Sequence, residues 1–272
     1  YAMRLVKAAQ AAFSVFRVIF SAQALVIYLL SIEIINAYKI TYNQIMTARL
    51  PQSDPRLAAI SIAAMATPAV CKEQLHSQAL RIRFTQQKVW TPELTDETIQ
   101  SVAYQDPSKR KIAAVLIPLI QNKDQLSVLL TQRAAHLKDH AGQISFPGGR
   151  KEATDQDALA TAMREAEEEI GLASSCIEPL GHLPDYFTVT GYQVTPVVAL
   201  VSLQQQLKAD AQEVDSIFEV PLDFLMNPAN HQVREWDGPR GRRRFYAMPY
   251  EDRFIWGATA GMLRNLYHFL NA

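Results

Sequence analysis

The sequence has few of the residues that mark disulfide-stabilised, zinc-binding or nucleic-acid-binding proteins. Its two cysteines, Cys71 and Cys176, are too few for a disulfide framework and lack the spacing of a zinc site. We interpret both as reduced thiols, which favours a cytoplasmic protein. Lysine plus arginine and aspartate plus glutamate both total 27, so no net charge attracts nucleic acid or an anionic membrane. Any anion-binding site must therefore be local.

A long hydrophobic run is also lacking. Residues 18–32 form an uncharged run of fifteen residues between Arg17 and Glu33, whereas a membrane-spanning helix needs about 20. Three interpretations compete: an upstream extension outside the working protein, an apolar helix packed on the domain, or a signal or membrane-anchor segment. The extension is favoured, because later methionines could serve as starts, and the anchor is favoured least. We therefore predict that residues 1–71 are an N-terminal extension containing this apolar segment and a linker.

Beyond residue 72, short apolar segments alternate with polar turns and helical patterns. Residues 112–120 and 127–133 are predicted strands joined by a polar turn, which indicates a hairpin. Further strands are predicted at 177–183, 194–203 and 216–220, a second hairpin at 233–248 and a final amphipathic helix at 255–270. These elements predict an α+β fold in which a mixed β-sheet lies between helices.

The segment 159–170 carries the strongest helical pattern. Leu159, Met163, Ala166 and Ile170 recur at spacings of four, three and four residues, which predicts one apolar stripe that packs on a sheet. The acidic side chains are predicted to cluster on roughly the opposite side of the helix: Glu165, Glu168 and Glu169. Neighbouring carboxylates repel one another, and a divalent cation removes that repulsion. Oxygen ligands of this kind suit Mg²⁺ or Mn²⁺.

An acidic run on a helix is more often a solvated face than a metal site. Two features favour the metal site here. A Pro-Gly-Gly turn, residues 147–149, precedes the helix at short range, and Gly171 follows it at the position typical of a C-terminal glycine. The turn, the helix and the carboxylates together predict one cation-binding unit.

Gly149 and residues 164–172 resemble the Nudix box, G-x5-E-x7-R-E-U-x-E-E-x-G-U, in which U is apolar. Two departures resemble the coenzyme A pyrophosphatase branch of the Nudix hydrolases: Asp155 replaces a glutamate, and Arg164 comes one residue late. The second signature of that branch, L-L-T-x-R-[SA]-x3-R-x3-G-x3-F-P-G-G, is matched by residues 129–149, except that Lys138 replaces the usual arginine. The resemblance predicts a Nudix hydrolase domain over residues 72–272 and an α/β/α sandwich.

The resemblance also implies an activity, which is metal-dependent hydrolysis of the diphosphate bond of coenzyme A or acyl-CoA. The products would be adenosine 3′,5′-bisphosphate and 4′-phosphopantetheine or its acyl form. A Nudix hydrolase of another nucleoside diphosphate derivative, such as ADP-ribose, is the nearest alternative. A non-catalytic nucleotide-sensing module on the same fold is an alternative of another class.

Site residues follow from the same resemblance. The carbonyl of Gly149 and the helix carboxylates are expected to hold the metal: Glu165, Glu168 and Glu169. Arg164 is expected to hold a glutamate in place, and Arg133 and Lys138 to bind substrate phosphates. Lysine lacks the two-pronged fork of arginine, so Lys138 leaves fine selectivity for coenzyme A open. The general base is either Glu213, just before a predicted strand, or Glu165 itself.

Overall fold

The computed structural model describes residues 54–61, 67–86, 88–104, 106–122, 125–204, 206–238 and 241–272. The apolar run at residues 18–32 lies outside this part of the chain. Among the described residues, no helix is long and apolar enough to cross a membrane. They belong to one unit, Asp54–Ala272, and the domain boundary at residue 72 stays a prediction.

An eight-stranded mixed sheet forms the centre of the fold. Its middle strand, β2 (Lys111–Asn122), pairs antiparallel with β3 (Gln125–Arg133) and parallel with β8 (Tyr192–Val201). The strand order is β4-β3-β2-β8-β6, where β4 is Ile144–Ser145 and β6 is Ile177–His182. Three strands pair beside this path: β5 (Gly148–Arg150) on β2, β7 (Tyr186–Phe187) on β8, and β9 (Val214–Pro221) on β3.

Helices cover both faces of this sheet. The helices of the described residues are α1 (Ser77–Thr85), α2 (Asp96–Tyr104), α3 (Ala158–Ile170), the single turn α4 (Leu222–Leu225) and α5 (Gly257–Asn271). Alternate side chains of β2 point to opposite faces. Leu116 and Ile120 therefore pack in one cluster with α3, while Ile117 and Leu119 pack in the other with α5. This arrangement confirms the predicted α+β class and the sheet between helices.

A second, four-stranded antiparallel sheet lies beside α5. Its order is β1-β10-β11-β12, with β1 Ala59–Ile60, β10 Gln232–Gly238, β11 Gly241–Tyr250 and β12 Arg253–Trp256. β10 and β11 form the predicted second hairpin. The predicted start of the final helix at residue 255 is wrong, because Ile255 and Trp256 pair with β11 and the helix begins at Gly257.

Candidate active site

Helix α3 carries four of the eight predicted site residues. It begins after Asp157, whose side chain accepts a hydrogen bond from the Ala160 N–H, and ends at Gly171 with a left-handed φ of 67°. A residue with a side chain is strained in that conformation, which explains the glycine. The predicted apolar stripe packs on the sheet, where Ala166 and Ile170 are fully buried.

The three helix carboxylates, spaced i, i+3 and i+4, lie on one side of α3 but differ in burial. Glu169 is buried with 4% of its surface exposed, since its carboxylate turns towards the sheet and accepts a 3.1 Å hydrogen bond from the Gly148 N–H. The Glu168 side chain is 59% exposed. Glu165 lies between these extremes, with 15% of its side chain exposed. The periodicity alone could not reveal the backbone donor that draws Glu169 inward.

Arg164 is the centre of the hydrogen-bond network on this helix. Its guanidinium donates to both carboxylate oxygens of Asp155, each at 3.1 Å. It also donates to Glu165 at 3.0 Å and to Glu168 at 2.8 Å, and to the backbone carbonyl of Arg150 at 3.1 Å. One arginine therefore fixes two of the three helix carboxylates against the turn before the helix.

Gly149 lies directly against Glu165. A Cβ atom added at Gly149 would lie 2.5 Å from the Glu165 carboxylate, which is closer than any side chain allows. β5 places Gly149 there by pairing it with Ala114 of β2. Only glycine lets the backbone and the carboxylate approach this closely.

The Glu169 carboxylate has an unusual environment. Burial raises its pKa to about 7, against the opposing effects of the Gly148 hydrogen bond and the Arg133 guanidinium, which lies 3.8 Å away. The negative charges of Glu213 and Glu165 raise it further. Burial also raises the pKa of Glu165, and Glu213 again acts in the same direction. The structure therefore brings Glu213 within electrostatic range of both helix carboxylates.

The remaining predicted residues lie on two loops and at the end of one strand. Glu213 precedes β9, and its carbonyl accepts a 2.9 Å hydrogen bond from the Ala134 N–H. Arg133 ends β3, opposite Val214 of β9. Lys138 is exposed in the loop between β3 and β4. Arg133 thus lies at the carboxylates, whereas Lys138 lies farther along the loop.

The donor set suits a hard divalent cation. The Glu213 charge raises the pKa of both Glu165 and Glu169, and the Glu165 charge raises that of Glu169, so a bound cation would relieve repulsion at these carboxylates. The lack of a side chain at Gly149 lets the Glu165 carboxylate lie against the Gly149 backbone. Among the described residues, no group of three or more His, Cys, Asp or Glu side chains is arranged as a complete metal site. Each helix carboxylate is paired instead with an arginine or a backbone N–H.

The sequence predicts no role for two residues that make side-chain contacts around the site. Asp155 was noted only as a departure from the box, yet it makes the bidentate contact with Arg164. His136 was given no role, yet its Nε2 lies 3.1 Å from the carbonyl oxygen of Gln212, next to Glu213. Asp155 could have been found from its box position, whereas the His136 contact depends on tertiary structure.

Comparison with known proteins places these observations in a family. Residues 109–240 match the NUDIX domain model. The uncharacterized Nudix hydrolase NudL of Escherichia coli K12 is 43% identical over 154 residues, which are 57% of this chain and 80% of that protein. NudL of Shigella flexneri is 41% identical over 161 residues, covering 59% and 83%. The solved NUDIX domain of Shewanella oneidensis NrtR, complexed with ADP ribose, is 24% identical and covers 48% of this chain and 87% of that domain, with a TM-score of 0.36.

Proposed function

The chain belongs to the Nudix hydrolase family, and from this premise we propose that it hydrolyses the diphosphate bond of coenzyme A or an acyl-CoA. Water adds to one phosphorus atom while the bond to the bridging oxygen breaks. The products are adenosine 3′,5′-bisphosphate and 4′-phosphopantetheine or its acyl form.

The contact between the two signature segments is the observation that carries this proposal. Arg133 belongs to the segment that resembles the coenzyme A signature. Its guanidinium lies 3.8 Å from the carboxylate of Glu169 on α3, the box helix, which carries most of the Nudix box. The Gly148 N–H, from the same upstream segment, donates a hydrogen bond to the Glu169 carboxylate. A recognition segment that touches a catalytic carboxylate supports substrate selection next to the bond that is cleaved.

We assign the metal to the Gly149 carbonyl and the helix carboxylates Glu165, Glu168 and Glu169. Nudix hydrolases generally use divalent cations, and these oxygen donors favour Mg²⁺ or Mn²⁺. When bound, such a cation supplies neutralisation of the diphosphate charge and acidification of water. Arg164 holds Glu165 and Glu168 in orientation through the contacts described above.

Glu213 is the proposed general base, which accepts the proton of the attacking water. It is exposed in a loop, so water can reach it, and it lies within electrostatic range of Glu165 and Glu169. Glu165 is the competing candidate, but Arg164 already donates to its carboxylate. The hydrogen bond from Arg164 leaves fewer lone pairs of Glu165 free to accept the proton of the water.

Arg133 and Lys138 are the proposed substrate-binding cations. The Arg133 side chain is 26% exposed, so it can contact a substrate phosphate while it remains close to Glu169. Lys138 is exposed in the loop and can meet the periphery of the substrate, where coenzyme A carries its 3′-phosphate. Arg133 and Lys138 thus provide two separate positive charges, which suits a substrate with a diphosphate and a separate terminal phosphate.

A substrate panel tests this proposal. The purified protein is assayed with coenzyme A, acetyl-CoA, ADP-ribose and nucleoside triphosphates, each with Mg²⁺ and with Mn²⁺. We expect the highest kcat/KM for coenzyme A or its thioester. A preference for ADP-ribose would support the alternative of another nucleoside diphosphate derivative. Binding without turnover of any of these compounds would support the non-catalytic sensing module.

A further inference from the structure

The loop that carries Glu213 is attached to the box helix on one side. The Asp210 N–H donates to the Glu169 carbonyl at 2.9 Å, and the Lys208 N–H donates to the Ile170 carbonyl at 3.0 Å. The Glu213 N–H in turn donates to the Asp210 carbonyl at 3.0 Å. These bonds fix the start of the loop against the end of α3.

The other side of the loop is attached to the segment that follows β3. The Ala134 N–H donates to the Glu213 carbonyl at 2.9 Å, and His136 Nε2 lies 3.1 Å from the Gln212 carbonyl oxygen. A carbonyl oxygen only accepts, so Nε2 carries the proton and donates. This donor is present in the neutral Nε2–H tautomer and in the imidazolium. His136 is therefore the side chain from the coenzyme A-like segment that holds the Glu213 loop.

We propose that His136 is a positioning residue that fixes the direction of the Glu213 carboxylate towards the water that attacks the diphosphate. This inference rests on the proposed role of Glu213 as general base. The Ala134 N–H holds the Glu213 carbonyl and His136 holds the Gln212 carbonyl. Because each peptide group is planar, fixing both carbonyls restricts φ and ψ of Glu213, which lies between them. That restriction limits the direction in which the Glu213 side chain leaves the backbone.

A pair of variants at His136 isolates the donor. His136→Phe keeps a ring and removes both nitrogens, whereas His136→Gln keeps an N–H donor. We expect His136→Phe to lower kcat about three- to tenfold, the range of one neutral hydrogen bond, with KM changed less than about twofold. His136→Gln should recover most of the lost kcat. His182→Phe, at an exposed position on β6, controls for the introduction of phenylalanine.

A double-mutant cycle with Glu213→Gln tests whether His136 acts through the base. In the Glu213→Gln background, His136→Phe should lower kcat no further. Equal fold losses in both backgrounds would overturn the inference, as would a change confined to KM. Near-normal kcat for Glu213→Gln alone would instead refute the assignment of the base. If the substrate panel selects another diphosphate, the same cycle is run with that substrate, so failure of the coenzyme A assignment is distinguished from failure of this one.

Discussion

Asp155 accepts two hydrogen bonds from the Arg164 guanidinium, one at each carboxylate oxygen. The Arg164 guanidinium and the Glu152 N–H hold the pKa of the Asp155 carboxyl well below its usual range. Asp155 is shorter than the glutamate of the general box, and Arg164 comes one residue later on the helix. The two residues that depart from the general box therefore contact each other directly. The shorter acidic side chain and the shifted arginine are compatible within this one hydrogen-bonded pair.

Asp155→Asn is expected to lower kcat about ten- to a hundredfold, because it removes the charge that orients Arg164 and, through Arg164, Glu165 and Glu168. Steady-state kinetics with the preferred substrate measures the effect. Asp157→Asn is the matched control, since asparagine also caps helices well and Asp157 caps α3 without contacting Arg164. Equal kcat values for the Asp155 variant and wild type would exclude a positioning role for this pair.

Glu168→Gln and Glu169→Gln are each expected to lower turnover at least about a hundredfold while the fold is kept, because each removes a proposed metal ligand. Glu167→Gln serves as control, since Glu167 is exposed on the same helix. Circular dichroism verifies the fold of all three variants. Near-normal rates for both Glu168→Gln and Glu169→Gln would refute the metal assignment.

The sequence predicted the elements whose pattern is local. The apolar stripe of α3 and its terminal glycine depend on spacing and backbone conformation within the helix, and both are observed. The hairpin of β2 and β3 likewise depends on neighbouring segments. Short strands such as β5 and β7 were not predicted, because two or three residues carry too little pattern and exist only through pairing with β2 and β8.

The sequence predicted candidate site residues, but it did not predict how those residues contact one another. The box motif identified Arg164 and the carboxylates, but the burial of Glu169 depends on the Gly148 N–H, which reaches it across twenty-one positions of sequence. The contact of His136 with the Gln212 carbonyl spans an even longer separation. Contacts between distant segments leave no periodic signal, so only the folded chain reveals them.

Gly149→Ala is expected to abolish most activity with little loss of stability. The new Cβ would lie 2.5 Å from the Glu165 carboxylate, so that side chain must move, and Gly149 has no positive φ that alanine would strain. Turnover should fall at least about tenfold, because a 1 Å displacement of a reacting group can cost a factor of a hundred. Kinetics and thermal unfolding are measured together. Wild-type turnover would show that the position of Glu165 is not critical.

His231 predicts an acid-sensitive contribution to stability. The ring is buried, its Nε2 lies 2.6 Å from the Leu225 carbonyl oxygen, and its Nδ1 lies 3.1 Å from the Arg264 guanidinium. Since Nδ1 must accept from Arg264, the ring is neutral. Burial, assisted by the Arg264 charge, lowers the pKa of His231 to about 4.

The unfolded chain, with a histidine pKa near 6.5, therefore binds more protons between about pH 6.5 and 4 than the folded protein. As the pH falls from about 6.5 to 4, the free energy of unfolding should therefore decrease by on the order of 2–3 kcal/mol because of this residue. Urea denaturation at several pH values compares wild type with His231→Gln, which should lose less stability on acidification even though it starts lower. His182→Gln is the exposed control. Identical pH slopes for wild type and His231→Gln would contradict the prediction.

Lys138→Ala should raise KM for coenzyme A about ten- to a hundredfold, the range of a charge-assisted hydrogen bond to phosphate, with little change in kcat. Lys138→Arg should bind as well or slightly better, because the guanidinium fork can reproduce the contact. Lys72→Ala is the matched control. Lys72 is an exposed lysine near Gln125 at the opposite end of β3 from Lys138.

Dephospho-coenzyme A, which lacks the 3′-phosphate but keeps the diphosphate, locates the Lys138 contact. If Lys138 binds the 3′-phosphate, wild type should prefer coenzyme A and Lys138→Ala should lose that preference, since only the 3′-phosphate distinguishes the two substrates. Equal weakening of both substrates would place the lysine on the diphosphate instead, closer to Arg133 than its place in the loop suggests. Unchanged KM for both would show that Lys138 is a solvated loop residue, and the selectivity of the site would then depend on Arg133.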